Sequence, residues 1–431
     1  MSAEPTADRA AEPGADRAAG PGANREFGVG LLGHGTIGAA FEALLAGQAD
    51  RIELMTGRRP ALSGILTRSA GSFEEILEGS ELIVELIGGI EPAREYVLRA
   101  MAAGRHVVTA NKQLLSHHGE ELWDAARRHG VQLRFEGSVA GVVPVIRVLQ
   151  ESLAGARIER VHGIVNGTTN YILSEMAQNG ITFERALVEA QRLGYAEADP
   201  SEDIDGRDAA AKMAILARLA FGTPVHIDQV RYEGIEQIQP DDLEYARELG
   251  LGLKLIGTAE RIGAGLSVRV HPAFLYPGHP LASIGGSFNA VTVESEEITE
   301  ITMSGPGAGG PQTASAVLAD VISAMIPPAS TPPITSAMEI IQDVVSAFYL
   351  HLEVADQPGV LAQVAQVLAL QSVSVRSVVQ KGHGDQARLV MVVHPVLESR
   401  FAAATELIQG LDVLRAPPRA IRVLAEEFSA T

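Results

Sequence analysis

Near the start of the chain an apolar segment, Phe27–Leu32, runs directly into Gly33-His34-Gly35-Thr36-Ile37-Gly38 and on into Ala39, Ala40 and Leu44 at helical spacing. A strand that turns on closely spaced glycines into a helix restricts the fold more than any other feature of the sequence. The first glycine permits a tight turn, the second lets a pyrophosphate approach the backbone, and the third lets helix pack on strand, while the helix N-terminus offers amide donors. Alone, a GxGxxG is common in such turns; at the head of a βαβ series it marks a dinucleotide site. Gly33, Gly35, Thr36, Ile37 and Gly38 are therefore candidate cofactor contacts.

The series follows. Strands are predicted at Ala61–Thr67, Leu82–Ile87, His106–Thr109 and Val131–Phe135, with helical spacing over Pro92–Ala103 and Leu114–His129. This alternation predicts an α/β, Rossmann-like domain over residues 27–141, its parallel sheet covered by helices on both faces. With 431 residues the chain suits two or three domains. Residues 142–326 mix a strand, Arg157–Val165, with helices Phe183–Leu193, Asp208–Phe221 and Gln312–Met325, and read as an α+β substrate and dimerisation domain whose last helix returns towards the nucleotide domain. Pro327, Pro328, Pro332 and Pro333 mark a linker or connection, 327–345. Residues 346–431 then predict β-α-β-β-α-β, a ferredoxin-like unit. The Ala-, Pro- and Gly-rich repeats of residues 1–26 predict a disordered tail.

Composition closes off several classes. There is no cysteine, so no disulfide, zinc knuckle or thiol nucleophile is available. A net charge of −19 opposes nucleic acid and anionic membranes as partners. No apolar run approaches the roughly 20 residues a bilayer crossing needs. The expectation is a soluble, cytoplasmic protein. The histidines show no metal-ligand spacing, and Trp123 in an apolar helix stripe reads as core.

The second strand ends Leu66-Thr67-Arg68-Ser69. An acidic residue there would bond the ribose 2′-hydroxyl of NAD, whereas Arg68 suits the 2′-phosphate of NADP. The reading leans to NADP, with NAD open and an ordinary solvated arginine as the plain alternative.

The densest chemistry lies between Gly194 and Lys212, with six carboxylates from Glu197 to Asp208 and Lys212 one helical turn beyond Asp208. That i, i+4 spacing puts acid and ammonium on one helix face. Such pairs are usually solvated. Here, however, Met213–Ala220 is apolar almost all round, so Lys212 faces an interior and must be paired or have its pKa depressed; a depressed pKa is how a lysine becomes a usable proton donor and acceptor near neutral pH, and Asp208 would hold it in place.

The segment Gly194–Lys212 resembles the signature of homoserine dehydrogenases. The resemblance extends to Thr109-Ala110-Asn111-Lys112, to Asn166-Gly167-Thr168-Thr169-Asn170-Tyr171-Ile172 and to Gly305-Pro306-Gly307-Ala308-Gly309-Gly310, and it covers nearly everything from Phe27 to Ala324. It implies interconversion of L-aspartate 4-semialdehyde and L-homoserine with a nicotinamide. It places the proton-transfer role on Lys212, its partner on Asp208, and Lys112 where cofactor and substrate meet. Glu197 and Asp203 match the family's acidic substrate contacts, with Tyr195, Gly167 and Thr168 in substrate-site segments. Thr109, Gly307 and Gly309 fall in cofactor-site segments. The family also implies a monovalent cation, Na+, held by Glu136 and the carbonyls of Val139, Gly141 and Val143, where a simple loop is the plain alternative.

The turn Asp356-Gln357-Pro358-Gly359 inside the βαββαβ unit resembles the opening of an ACT domain. The resemblance implies an amino-acid effector, L-threonine, and a homo-oligomer, dimer or tetramer, formed through paired sheets; a purely dimerising unit is the alternative. Two rivals stay open: a sensor without turnover, opposed by the intact Lys112, Asp208 and Lys212, and a 2-hydroxy-acid dehydrogenase, which needs a His paired to a carboxylate.

Overall fold

The computed structural model describes residues 26–307, 309–326, 338–382, 384 and 387–424. The expected tail, apart from Glu26, and residues 327–337 of the expected linker lie outside them.

Strand β1 (Glu26–Leu32) feeds α1 (Thr36–Thr56), and β2 (Arg59–Leu66), α2 (Phe73–Gly79), β3 (Leu82–Glu85), α3 (Ala93–Ala102), β4 (His106–Thr109), α4 (Lys112–His129) and β5 (Leu133–Arg134) follow. The five strands pair in parallel in the order β2-β1-β3-β4-β5. Their central members are buried on both faces, as a helix-covered parallel sheet requires. Ser72 and Asn111 begin α2 and α4 by accepting the amides of Glu75 and Leu114. No helix of the described residues is long and apolar enough to cross a membrane.

Next come α5 (Val145–Arg147), β6 (Ile158–Ile164), α6 (Gly167–Asn179), α7 (Phe183–Arg192), α8 (Ser201–Ile204), α9 (Arg207–Phe221), β7 (Arg231–Tyr232), α10 (Pro240–Glu248), β8 (Gly252–Ile262), β9 (Gly265–Leu275), β10 (Phe288–Ser295), β11 (Thr299–Pro306) and α11 (Gly310–Ala324). Helix α11 packs on α1, and its Val317 and Leu318 join Phe41 and Leu45 in one buried cluster. The last helix of the substrate region thus completes the core of the nucleotide region.

The C-terminal unit is β12 (Val345–Glu353), α12 (Val360–Leu370), β13 (Val375–Lys381), β14 (Arg388–Leu397), α13 (Glu398–Gln409) and β15 (Arg419–Val423). Its strands lie in the order β15-β12-β14-β13, and β15 also pairs in parallel with β9 through Arg422 opposite Ala273 and Val423 opposite Phe274. One ten-stranded sheet therefore runs through both regions, a long-range pairing that local periodicity does not reveal. Part of the expected linker is likewise docked: Leu266 donates to the Glu339 carbonyl at 2.6 Å and Ile341 donates back to Leu266 at 2.7 Å.

A buried ionic knot seals the same seam. His351 Nδ1 on β12 lies 3.0 Å from Asp242 Oδ1 on α10 and 2.6 Å from Arg419 Nη2 on β15. Asp241, Asp242 and His351 lie within metal-ligand reach of one another, but Arg419 donates to both carboxylates and already supplies the cation.

Candidate active site

Helices α4 and α9 pack side by side, and each brings an ammonium to one buried carboxylate. Lys112 is the first residue of α4, directly beyond the C-terminal end of β4, where open α/β sheets place their ligands. Its Nζ lies 3.1 Å from Asp208 Oδ1. Lys212, one turn along α9 from Asp208, donates to Asp208 Oδ2 and to the Val165 carbonyl, both at 2.7 Å. The pairing expected for a lysine on that apolar helix is present, since α9 is buried along nearly its whole length. Burial alone would raise the Asp208 carboxyl, but the Lys212 and Lys112 ammoniums outweigh it and pull it down to about 2. Asp208 in turn raises Lys112.

Asn166 holds the carboxylates in place. Its amide donates to Asp208 at 2.8 Å and to Asp203 at 2.7 Å, while its carbonyl oxygen caps α6 by accepting from Thr169 N at 2.8 Å. Asp203 is pushed up by burial and by the Asp208 charge. Thr168, next on α6, donates to the Tyr195 carbonyl at 2.6 Å, and the Tyr195 ring lies 4.8 Å from that of Tyr171. At Gly167 an added Cβ would come within 2.7 Å of the Ser287 carbonyl. Among the expected substrate contacts, Glu197 stands apart: it is exposed, and its carboxylate takes part in none of the hydrogen bonds among the described residues.

The glycine turn sits beside this cluster's strand ends. Gly33 has φ +96°, and an added Cβ at Gly38 would lie 2.3 Å from the Gly33 carbonyl, so the turn closes only without side chains. Thr36 and Ile37 open α1, while Gly35 has open space where its Cβ would be. Gly310 at the start of α11 approaches Thr36, and a Cβ there would meet Thr36 Cγ2 at 2.9 Å. Two helix N-termini therefore meet at the turn. Gly307 leaves no room for a Cβ against Asn289, and Gly309 takes φ +141°; Ala308 lies outside the described residues. Arg68 is exposed just beyond β2, whose Leu66 carbonyl accepts the Gly33 amide at 2.9 Å.

Three contributors escaped the reading of the sequence. Glu85 ends β3 fully buried, accepting the Thr109 hydroxyl at 2.6 Å and the Ile87 amide at 2.8 Å, and burial pushes its carboxyl up. It ties the ends of β3 and β4 together beneath Lys112. An acidic residue closing the apolar strand Leu82–Glu85 was the available signal. Asn111 and Asn166 stood inside quoted motifs without roles.

Glu136 is buried, and its two carboxylate oxygens accept the amides of Ile146 and Arg147 at 2.9 Å each. Its own amide donates to Asp320 on α11 at 2.7 Å. Burial and the Asp320 charge push Glu136 up to about 7, and burial pushes Asp320 up to about 6. Ala140 and Gly141, between the expected carbonyl ligands Val139 and Val143, both take left-handed backbone.

The chain matches the family model for homoserine dehydrogenase over residues 144–322, that for the homoserine dehydrogenase NAD-binding domain over 33–136, and that for the ACT domain over 348–413. It is 38% identical to a homoserine dehydrogenase of Neisseria gonorrhoeae, across 92% of this chain and 98% of that protein. It is 43% identical to that of Corynebacterium glutamicum, across 77% of each. Among solved structures, a homoserine dehydrogenase from Thiobacillus denitrificans superposes with a TM-score of 0.88 at 38% identity, over 93% of this chain and 98% of that one. A hyperthermophilic archaeal homoserine dehydrogenase in complex with NADPH superposes with a TM-score of 0.62 at 26% identity, over 71% of this chain and all of that one. With the models matched in order and relatives similar along nearly the whole length, the chain belongs to the homoserine dehydrogenase family of nicotinamide-dependent oxidoreductases, carrying a C-terminal ACT domain.

Proposed function

We propose that the chain interconverts L-aspartate 4-semialdehyde and L-homoserine, in the biosynthesis of threonine, methionine and isoleucine, with Lys212 as the proton-transfer residue. One observation carries the assignment: a single buried carboxylate, Asp208, bridges two ammoniums, Lys112 at the start of α4 just beyond β4 and Lys212 on α9. The nicotinamide, when bound, supplies or accepts the hydride. As negative charge grows on the substrate oxygen, the Lys212 ammonium stabilises it and delivers a proton; in the reverse direction Lys212 takes that proton back. Asp208 orients Lys212 and Lys112 together. Asp203, Tyr195, Gly167 and Thr168 form the substrate pocket, where Asp203 accepts the ammonium of the amino acid and Glu197, exposed two residues beyond Tyr195, supplies the second acidic contact.

The glycine turn, the paired helix N-termini and the absent Cβ atoms fit a dinucleotide, held by Gly33, Gly35, Thr36, Ile37, Gly38, Thr109, Lys112, Gly307 and Gly309. Arg68, with no acidic residue from Thr67 to Ala70, supports NADP over NAD. Buried Glu136, beside an Asp320 that also faces Arg147 at 3.6 Å, offers a hard carboxylate oxygen that suits a monovalent cation, Na+, with the carbonyls of Val139, Gly141 and Val143 as further ligands. L-threonine acting at the ACT turn, and a homo-oligomer formed through the exposed edge strand β13, complete the reading.

Oxidation of L-homoserine assayed with each nicotinamide tests the core of it. The expected result is turnover with NADP exceeding that with NAD and falling as threonine rises; no turnover with either nicotinamide refutes the activity, and a rate indifferent to threonine refutes the feedback.

A further inference from the structure

One polar cluster belongs neither to the catalytic site nor to the ACT turn. On the large sheet, His162 of β6 lies in register with Thr258 of β8, and Thr258 with Arg269 of β9, so the three form a row across three strands. Gly257 shows which face they occupy, because a Cβ on it would lie 2.4 Å from Met213 of α9; its neighbour Thr258 therefore projects from the opposite face. All three side chains are at least nine-tenths buried. Yet His162 Nε2, Thr258 Oγ1 and Arg269 Nε have no hydrogen-bond partner among the described residues. Unpartnered buried polar atoms are costly and rare, and three in one row call for an explanation. They line a cavity of about 130 Å3 to which the C-terminal strands contribute Ser346, Pro395 and Val423.

The lining also selects its occupant. Arg269 pairs with Glu260 at 2.5 Å, and Arg160 with Glu260 at 3.1 Å and Glu294 at 3.5 Å, so the wall is balanced in charge and favours neither a bare anion nor a metal ion. His162 Nδ1 faces the Glu294 carboxylate at 3.4 Å, which favours the ring proton on Nδ1 and so an acceptor at Nε2. His279, also in the wall, accepts the Leu281 amide on Nδ1 at 3.1 Å and so offers Nε2–H as a donor. The volume is on the order of the roughly 150 Å3 that holds a benzene.

The geometry points to this seam as a binding site for a small zwitterionic amino acid, its carboxylate on Arg269 Nε–H and the Thr258 hydroxyl and its ammonium on His162 Nε2. The site is separate from the ACT turn and does not depend on the catalytic reading. Isothermal titration of the full chain with L-threonine, L-serine and L-2-aminobutyrate tests it, in the wild type and in Thr258→Val and His162→Phe. The expected result is binding of at least one probe, weakened about tenfold or more in both variants. The thermal midpoint without ligand should be unchanged or higher in Thr258→Val, because that change removes an unpartnered hydroxyl. Three outcomes overturn the proposal: no heat with any probe at millimolar concentration, equal affinity in the wild type and both variants, or variants that change the sedimenting mass while leaving affinity intact, which gives this face to a second copy of the chain.

Discussion

Replacing Asp208 by Asn removes the charge that Lys112 and Lys212 share while keeping the size of the side chain. The ionised form is favoured from an ordinary value of 3.8 down to about 2 despite burial. At 1.36 kcal/mol per pH unit this corresponds to roughly 2–3 kcal/mol. The folded value lies below the unfolded one, so that contribution is complete above about pH 4 and is lost as pH falls through about 2. Asparagine also leaves two neighbouring ammoniums without the counter-charge they share, with Asp203 and Glu202 acting from further off, and breaking a buried pair costs about 3–5 kcal/mol when one partner is removed. Lys112 is partly exposed, which brings the expectation to the lower end, about 2–4 kcal/mol after allowing for solvent screening. At neutral pH the variant should melt several degrees lower, and kcat should fall by about 10²–10⁴, the usual scale for a disabled proton-transfer group. Steady-state kinetics at saturating homoserine and nicotinamide, beside a thermal melt, provide both readouts. A variant with wild-type kcat and midpoint would refute the idea that Asp208 organises the two lysines.

Glu136 and Asp320 have folded values above their unfolded ones, about 7 and about 6, so the stability they contribute is complete below about pH 4, is lost as pH rises to those values and levels off above them. Without added cation the thermal midpoint should therefore drop between pH 5.5 and pH 8, and sodium in place of choline should recover it at pH 8 more than at pH 5.5. A midpoint indifferent to sodium at both values counts against a cation beside Glu136. At the glycine turn, Gly38→Ala forces a carbon against the Gly33 carbonyl, 2.3 Å away, and titration with reduced nicotinamide should show affinity lowered at least about tenfold. Exposed Arg68, changed to Ala, should weaken NADP by about ten- to a hundredfold, the value of a charge-assisted bond, and leave NAD unchanged; equal effects on both cofactors would remove Arg68 from the 2′-phosphate.

What could be read from the residues was whatever depends on short spacing. The glycine turn lies between a strand and a helix within a few residues, and Asp208 and Lys212 are one turn apart on α9, so both emerge from periodicity. Lys112 meeting the same carboxylate does not, because α4 and α9 are joined only by tertiary packing. Asn166 is a similar case: its two carboxylate partners lie 37 and 42 residues away in sequence. The β9–β15 pairing, which fuses two expected domains into one sheet, depends on edges left open by both and has no local pattern. Arg218 shows the same limit. It lies inside the apolar run of α9, yet it is almost fully buried, with its guanidinium 4.2 Å from the Trp123 ring and Nε donating to Glu120 at 3.0 Å. Trp123 is core, as its helix stripe suggested, and the cation packed on it belongs to another helix.

The central claim is that the Lys212 ammonium moves the proton at the substrate oxygen, and Lys212→Ala tests it most directly. Single-turnover oxidation of homoserine should be slowed by about 10²–10⁴, while titration with reduced nicotinamide gives an affinity within about twofold of wild type, since the glycine turn is untouched. A Lys212→Ala enzyme that turns over at a near-normal rate would contradict the account.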